Sequence, residues 1–238
     1  MQKLWHNNVP DLPFEILSRY GWERKRNLFF EEKEPETIEW IKSFSTESSF
    51  WDVGANIGMF SLFAGSMGHH VKSFEPEGTN FMRLRKNVGV NKFSISTYGH
   101  AVSDFDGKST FYVPKSGPGR SGGQVGAAVD ESGREFKPAE SYEVETYKID
   151  TLAGSLGVPN HIKIDVDGHE WRILQGAAGT LALPEVKSVL VEVNNCYADI
   201  DGYMKSFGFT DFNRFNGPDI NRRANQKSRN VIYLRENT

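Results

Sequence analysis

A glycine-containing turn and an acidic residue further along the chain are spaced as in a nucleoside-binding site. Residues 50–58 (FWDVGANIG) begin as a buried strand and change at Gly54 to a turn that opens a helix. A second apolar strand ends at residues 74–76 (FEP). Ligands of doubly wound sheets bind outside the carboxyl ends of the strands, and a carboxylate there can accept both ribose hydroxyls. The pattern therefore predicts a nucleoside cofactor in contact with Asp52, Gly54, Ala55, Asn56, Gly58, Glu75 and Pro76.

Asn56 bears on which nucleoside cofactor binds. A dinucleotide fingerprint has a second glycine here to make room for pyrophosphate, and a side chain would crowd it. S-adenosylmethionine has no phosphates, so the turn favours this cofactor, while an NAD-dependent oxidoreductase or epimerase stays open as an alternative. Gly54 is expected to permit the tight turn, and Gly58 to let the helix pack close to the strand. The backbone N–H groups of residues 55–58 are expected to be free to meet the cofactor's carboxylate.

Two later segments of the chain are predicted to complete the site. Ala101, which follows the third strand, is expected to pack against the adenine ring. Residues 162–170 (IKIDVDGHE) alternate up to Asp165, which should leave the sheet at the same edge as the glycine turn and face the sulfonium. Methyl transfer to a hydroxyl needs an aligned oxygen and a group that accepts its proton. Asp165 and His169 are the candidate catalytic residues.

Further polar side chains surround this second motif. Glu192 and Asn194, at the end of the fifth strand, are predicted to orient the methyl acceptor. Asp167 and Glu170 stand near a helix start, where the helix dipole favours carboxylates, so they are interpreted either as capping residues or as part of the site. Together these oxygens could also bind a divalent metal, which is possible but not favoured.

The order of strands and helices predicts the fold. From residue 49 onward the two alternate, as in a mostly parallel sheet covered by helices. Residues 1–45 are interpreted as an N-terminal extension with a short helix that has Pro35 at its first position, and residues 46–238 as one α/β domain. Ile38 and Ile41 are three positions apart, so this helix could pack one face on the sheet, and residues 170–181 are expected to form one helix. Residues 115–137 form an insertion rich in glycine. Long loops in compact domains are often functional, so this insertion is expected either to cover the active site or to be a plain surface insertion.

The motifs together resemble those of the FkbM family of S-adenosylmethionine-dependent methyltransferases. The resemblance covers roughly residues 34–234 and is carried by residues 50–58, 74–76 and 162–170. It implies a class I (Rossmann-like) methyltransferase fold, with helices on both faces of a seven-stranded sheet whose last strand is antiparallel. It also implies O-methylation of hydroxyls in sugars and glycans or in secondary metabolites. Asp167 stands where the family usually has a glutamate, and residues 115–137 do not align with it.

Composition narrows the remaining classes of function. The net charge of the 238 residues is -3 and the pI is near 6.1, which argues against a nucleic-acid partner. A single cysteine, Cys196, can form neither an internal disulfide nor a zinc site alone. No apolar run has the length of a membrane span or the character of a signal peptide, so a cytoplasmic protein with a small-molecule or glycan acceptor is expected. A non-catalytic cofactor-binding module is the remaining alternative, and the oligomeric state is not predicted.

Overall fold

The computed structural model describes residues 5–7, 13–18, 21, 30–130, 132–193, 197–212 and 229–236. The described strands are β1 (Trp5–Asn7), β2 (Ile16–Ser18), β3 (Ser49–Val53), β4 (His70–Phe74), β5 (Ile95–Tyr98), β6 (Ala101–Val102), β7 (Gly107–Val113), β8 (Gln124–Val125), β9 (Glu140–Tyr147), β10 (His161–Ile164), β11 (Ser188–Val193), β12 (Phe209–Asp211) and β13 (Arg229–Arg235). The described helices are α1 (Phe30–Lys33), α2 (Pro35–Lys42), α3 (Met59–Ser66), α4 (Gly78–Val90), α5 (Ile149–Leu156), α6 (Glu170–Gln175), α7 (Ala178–Leu181) and α8 (Tyr197–Ser206).

A central sheet organises the fold. In the described part of the chain it has seven strands in the order β12-β13-β11-β10-β3-β4-β5. The pairs from β11 to β5 are parallel, whereas β13 runs antiparallel to both β11 and β12. The predicted mostly parallel sheet with an antiparallel last strand is therefore confirmed. Because β3 lies between β4 and β10, the strand order reverses beside β3, which is where ligands bind in such sheets.

Side chains of the sheet alternate between two apolar layers. In β3, Phe50 packs into the layer that contains α2 and α3, and Trp51 packs into the layer that contains α5 to α8. The same alternation separates Leu190 from Val191 in β11. This period of two follows from strand geometry, and it requires helices on both faces to cover the sheet. That prediction is also confirmed.

The predicted N-terminal helix is α2, which begins with Pro35 at its first position. Proline suits this position because the N–H that it lacks would have no partner within the helix. Ile38 and Ile41 are buried on the face toward the sheet, as their spacing predicts. The indole N–H of Trp40 donates to Ser188 Oγ at 2.8 Å, which ties the helix to β11.

A second, smaller sheet lies in the stretch between β5 and α5. Its order is β6-β9-β7-β8, with β6 parallel to β9 and the other pairs antiparallel. The strand β8 lies within the glycine-rich residues 115–137 and pairs with Phe111 and Tyr112 of β7. This segment is therefore partly built into a sheet.

One long helix expected over residues 170–181 is interrupted and forms α6 and α7. A Cβ atom at Gly176 would lie 2.2 Å from the carbonyl oxygen of Ser103, so the backbone passes too close for a side chain. The carboxylate of Asp150 accepts from the N–H groups of Gly179 (2.9 Å) and Thr180 (2.6 Å) and caps the second helix from outside. These tertiary contacts divide the helix.

Candidate active site

The turn after β3 has left-handed backbone at three positions. The φ angles of Gly54, Asn56 and Gly58 are 83°, 54° and 92°. A Cβ at Gly54 would lie 1.9 Å from the carbonyl oxygen of Asp165, so this glycine lets the turn touch the end of β10. A Cβ at Gly58 would lie 2.5 Å from Leu84 Cδ1 of α4. Gly58 therefore makes room for the neighbouring helix, whereas the sequence predicted close packing against its own strand.

Asn56 suits the turn because asparagine tolerates a positive φ better than most side chains do. Its Oδ1 accepts from the Ile57 N–H at 3.0 Å, and its Nδ2 donates to the carbonyl oxygen of Arg120 at 2.8 Å. Arg120 belongs to the glycine-rich residues 115–137. The side chain expected to contact the cofactor thus also holds the insertion.

Glu75 follows β4 and is buried with its carboxylate at the turn. Its Oε2 accepts from the Asn56 N–H at 2.7 Å, and its Oε1 accepts from the Glu77 N–H at 2.9 Å. Burial raises the pKa of Glu75 to about 8, although these backbone hydrogen bonds act in the opposite direction. The Asn80 side chain also hydrogen-bonds this group. The oxygens have lone pairs beyond these bonds, and the protonated form can donate as well, so the group can still bond to ligand hydroxyls. The position of Glu75 therefore fits a ribose.

The backbone N–H groups at the turn do not match the sequence prediction. Those of Gly54 and Ala55 donate to the Phe74 carbonyl, each at 3.0 Å, and that of Gly58 donates to the Ala55 carbonyl at 2.8 Å. The N–H groups of residues 56 and 57 donate to the two side chains described above. The prediction that the N–H groups of residues 55–58 are free was wrong, because the turn satisfies its own donors.

A cavity of about 240 Å³ opens beside this turn at the C-terminal edge of the sheet. Most of the predicted site residues line it: Gly54, Asn56, Glu75, Pro76, Ala101, Asp165, His169 and Glu192. Asp52 and Ala55 instead line a smaller cavity on the side of the turn that faces α1 and α3. Gly58 lines neither of these two cavities, and Asn194 lies outside the described residues.

One wall of the larger cavity is apolar and aromatic. Phe74, His100, Ala101 and Val102 contribute to it. The rings of Phe74 and His100 have centroids 5.5 Å apart. Burial lowers the pKa of His100, so the imidazole is neutral near pH 7. A neutral, largely apolar wall next to the Glu75 side chain fits an adenine ring.

Asp52 lies under the turn, in the interior. Its Oδ2 accepts from Ser61 Oγ at 2.5 Å, and within the described residues its buried Oδ1 has no hydrogen-bond partner. Burial raises the pKa of Asp52, with Lys163 acting against that shift. An unsatisfied buried acceptor beside a small cavity fits a cationic or N–H group of a ligand.

Asp165 forms an ion pair with a lysine that the sequence analysis did not single out. Lys163 Nζ lies 2.6 Å from Asp165 Oδ2, and the two side chains are 1% and 26% exposed. Burial by itself lowers the pKa of Lys163, but the carboxylates of Asp165, Glu34 and Asp52 outweigh it and the pKa ends above its usual value. The charged lysine therefore lies directly beside the Asp165 side chain at the cavity wall.

His169 stands at the N-terminus of α6 with its ring in the cavity wall. Its Nε2 lies 2.8 Å from Ser103 Oγ. Burial lowers the pKa of His169 to about 4, and the charge of Arg172 acts in the same direction. The imidazole is therefore neutral near pH 7 and can accept a proton.

The two acidic residues interpreted as possible caps have different roles. Glu170 Oε1 accepts from the N–H groups of Val166 (3.2 Å) and Gly168 (3.0 Å), so it stabilises the turn before α6. Asp167 has a φ of 60° and accepts from the Gly122 N–H at 2.6 Å, while its carbonyl accepts from Gln124 Nε2 at 2.7 Å. Asp167 therefore links the strand-end motif to the insertion.

Asn80 of α4 is a contact residue that the sequence analysis missed. Its Nδ2 donates to the Arg120 carbonyl at 3.0 Å, and its Oδ1 accepts from the Gly119 N–H at 2.8 Å. Both partners belong to the insertion, about forty positions along the chain, so no local pattern marks this residue. With Asn56 and Asp167, Asn80 holds residues 119–124 against the larger cavity; we call these residues the cover segment.

The described residues contain neither a cluster that could bind a metal nor a helix that could span a membrane. Across the described ranges, histidine, cysteine, aspartate and glutamate side chains form no group of three or more that could hold a metal ion. Among the helices in those same ranges, none is long and apolar enough to cross a membrane.

The strand order and the edge at which these residues meet define the class I methyltransferase fold. A S-adenosylmethionine-dependent methyltransferase from Agrobacterium tumefaciens superposes with a TM-score of 0.51 at 10% identity, over 99% of this chain and 71% of that one. Magnesium protoporphyrin IX methyltransferase (ChlM) from Synechocystis superposes with a TM-score of 0.50 at 10% identity, over 92% and 86% of the two chains. At this identity the likeness concerns the fold alone.

The FkbM methyltransferase domain matches residues 52–210, and the chain belongs to this family. The hexuronic acid methyltransferase AglP of Haloferax volcanii is 29% identical over 156 residues, which are 65% of this chain and 59% of AglP. The 31-O-demethyl-FK506 methyltransferase FkbM of Streptomyces tacrolimicus is 30% identical over 192 residues, and the match covers 67% of this chain and 72% of that protein. The chain thus matches less than two thirds of the length of AglP.

Proposed function

We propose that this chain is a S-adenosylmethionine-dependent O-methyltransferase that acts on a hydroxyl of a sugar, a glycan or a secondary metabolite. The observation that carries the proposal is the buried Glu75 carboxylate, held by the N–H groups of Asn56 and Glu77 at the wall of a cavity. Membership of the FkbM family supports the reaction class. The names of two relatives, for hexuronic acid and for O-demethylated FK506, support a hydroxyl-rich acceptor.

The two cavities divide the cofactor's parts between them. Glu75 would accept the ribose hydroxyls, and the wall formed by Phe74, His100 and Ala101 would cover the adenine. The unsatisfied Oδ1 of Asp52 would accept from the ammonium of the methionine end. Because the turn's own N–H groups are used internally, the methionine carboxylate needs a different partner, and Lys33 lines both cavities.

S-adenosylmethionine supplies an activated methyl group on a positively charged sulfur. The chain would hold the acceptor oxygen in line with that methyl group and would take up the hydroxyl proton as the C–O bond forms and the C–S bond breaks. His169 is the proton acceptor, since its imidazole is neutral and lines the cavity. Asp165, which pairs with Lys163, would favour the sulfonium electrostatically, and Glu192 and Asn194 would orient the acceptor.

The domain assignment belongs to the same proposal. Residues 46–238 would form the methyltransferase domain and residues 1–45 an extension of it. Residues 115–137 would serve as a lid, because the cover segment is bonded to the cofactor turn through Asn56 and to the strand-end motif through Asp167. An acceptor would then enter when this segment moves.

Cofactor titration followed by an acceptor screen tests the proposal. We expect calorimetry to show binding of S-adenosylhomocysteine and none of NAD; binding of NAD alone would overturn the methyltransferase assignment. Mass spectrometry should then detect a gain of one methyl group on a hydroxyl-bearing acceptor from a panel of sugars, uronic acids and macrolides. Cofactor binding without transfer to any acceptor would favour a non-catalytic module.

Two further parts of the proposal concern partners and location. The acceptor is expected to be a small molecule or glycan and not a nucleic acid, and salt-dependent binding to RNA or DNA would contradict this. A cytoplasmic location stays a prediction, which fractionation of the native cells would test. No divalent metal is assigned; the same activity with and without a chelator would support that choice.

A further inference from the structure

The Ser103 hydroxyl, with its single proton, lies between two hydrogen-bond partners, His169 and Asp104. The residue is fully buried, directly after β6. Its Oγ lies 2.9 Å from Asp104 Oδ1 and 2.8 Å from His169 Nε2. A hydroxyl has only one proton to donate, so it can donate to one of these partners and must accept from the other.

The state of Asp104 decides the direction of the two hydrogen bonds. Burial alone would raise the pKa of Asp104, but hydrogen bonds from Ser103 and from its own backbone, with Arg172 nearby, lower it. An ionised carboxylate accepts only, so the Ser103 proton lies toward Asp104. The Ser103 oxygen then accepts, which requires the proton of neutral His169 to be on Nε2.

We propose that Ser103 and Asp104 are positioning residues that fix His169 in the tautomer with its proton on Nε2 and the lone pair on Nδ1. The assignment of the tautomer is independent of the proposed function, and only the use of this tautomer in catalysis rests on that function. When the acceptor's O–H bond breaks, the proton goes to Nδ1 and its electron pair stays on the oxygen that forms the C–O bond. His169 becomes an imidazolium whose Nε2–H still donates to Ser103. The hydrogen bonds from His169 through Ser103 to ionised Asp104 therefore stabilise the charged imidazolium.

Neighbouring residues hold the hydrogen-bonded series His169–Ser103–Asp104 in place. A Cβ at Gly176 would lie 2.2 Å from the Ser103 carbonyl oxygen, so α6 ends directly against the Ser103 backbone. Arg172 Nη1 of α6 lies 3.4 Å from Asp104 Oδ2, at the far end of this hydrogen-bond series. The described residues provide His169 Nδ1 with no hydrogen-bond partner of its own.

Nitrogen NMR of the full chain with labelled histidine tests the tautomer without any acceptor. The chain has six histidines, and a His169→Gln variant identifies the His169 signals. At pH 7 we expect Nε2 to carry a proton that exchanges slowly with solvent, and Nδ1 to have the shift of an unprotonated nitrogen. A proton on Nδ1, or a signal that averages the two tautomers, would overturn the inference.

Two variants and a control extend this test. In Asp104→Ala the Ser103 proton loses its acceptor and can turn toward His169, so the Nδ1–H tautomer should become populated. In Ser103→Ala the Nε2 proton should exchange rapidly. Ser48→Ala removes another buried hydroxyl, which donates to the Ser45 carbonyl, and should leave the His169 signals unchanged. If the His169 signals of Asp104→Ala and Ser103→Ala both matched those of the wild type, Ser103 and Asp104 would have no role in fixing the tautomer.

Activity supplies a second readout once an acceptor is known. A general base contributes about 10²–10⁴-fold, so Ser103→Ala and Asp104→Ala should lower kcat by at most roughly that factor and leave the affinity for S-adenosylhomocysteine unchanged. The pH profile should also change, because His169 is faced by Asp104 and Arg172 and shares the cavity wall with Asp165, Asp167 and Glu192. If the wild type has the expected tautomer but no activity, only the proposed function is contradicted. If Ser103→Ala and Asp104→Ala are both as active as the wild type, only the inference is contradicted.

Discussion

The Glu75 carboxylate accepts a 2.7 Å hydrogen bond from the backbone N–H of Asn56, so the acid after β4 is joined directly to the turn after β3. Asn56 has a left-handed φ of 54° in this turn. A second bond from Glu77 fixes the other oxygen. The two halves of the proposed cofactor site are therefore held in one arrangement before any ligand binds, which reduces the entropy that binding must overcome.

Removal of this carboxylate should weaken cofactor binding. In Glu75→Ala the ribose would lose two hydrogen bonds to a carboxyl group that is largely protonated near pH 7, each of about 0.5–1.5 kcal/mol, so Kd for S-adenosylhomocysteine should rise roughly fivefold or more. Glu75→Gln keeps one acceptor and should have an intermediate effect. Glu143→Ala changes an exposed carboxylate paired with Lys108 and serves as the control. Equal affinity in calorimetry for Glu75→Ala and the wild type would remove Glu75 from the site.

The raised pKa of Glu75 predicts a pH dependence of stability. Its folded-state pKa of about 8 lies above the ordinary value of 4.5, so its contribution is fully present below pH 4.5 and is lost as the pH rises through 8. Burial raises the pKa of Glu170 to about 7, so this group also lowers the free energy of unfolding as the pH rises. Urea unfolding at pH 5 and pH 9 should show a smaller decrease in the free energy of unfolding for Glu75→Gln than for the wild type. A decrease of the same size would contradict the assignment.

The Lys163–Asp165 pair predicts that a catalytic test at Asp165 also affects stability. Asp165→Asn leaves Lys163 buried with its nearest anion removed. Because the Asp165 side chain is 26% exposed, the loss should be smaller than the roughly 3–5 kcal/mol typical of breaking a fully buried pair. The double variant Lys163→Met with Asp165→Asn should recover stability in urea unfolding without recovering methyl transfer. Recovery of both would show that Asp165 has a structural role only.

Three substitutions at Asp167 distinguish the effect of its side-chain acceptor from the effect of its backbone conformation. Asp167→Asn keeps an oxygen acceptor for the Gly122 N–H and tolerates the φ of 60°. Asp167→Gly keeps the backbone but loses the acceptor, and Asp167→Ala loses the acceptor and adds about 1–2 kcal/mol of backbone strain. Hydrogen exchange of the cover segment should be faster in the glycine and alanine variants and unchanged in the asparagine variant. Equal exchange in all three would show that Asp167 does not hold the segment.

The low pKa of His169 predicts the shape of the pH–rate profile. Burial lowers this pKa to about 4, so the imidazole is neutral from about pH 5 upward and loses its basic form only as the pH falls through 4. The rate should therefore have no inflection near 6.5, the ordinary histidine value. His169→Gln should remove the acidic limb and lower kcat by about 10²–10⁴-fold. An inflection near 6.5 that persists in His169→Gln would assign the base to another residue.

Several elements of the fold follow from local sequence. The apolar alternation of β3 and β10, the glycine turn and the acid after β4 depend on neighbouring residues, since strand period and turn conformation are short-range properties. These patterns sufficed for the class of fold, the edge of the sheet that holds the site and the family. They placed Asp165, His169 and Glu192 at one cavity without knowledge of any long-range contact.

The sequence by itself determined that a glycine-containing turn and an acidic strand end meet at one sheet edge. Only the tertiary structure decided how the polar groups there are used: the turn's N–H groups bond within the protein, Asp52 faces the interior, and Lys163 pairs with Asp165. It also brought Ser103 behind His169. The physical reason is that hydrogen-bond partners and burial depend on residues distant in the chain, which a local pattern of residue types does not specify.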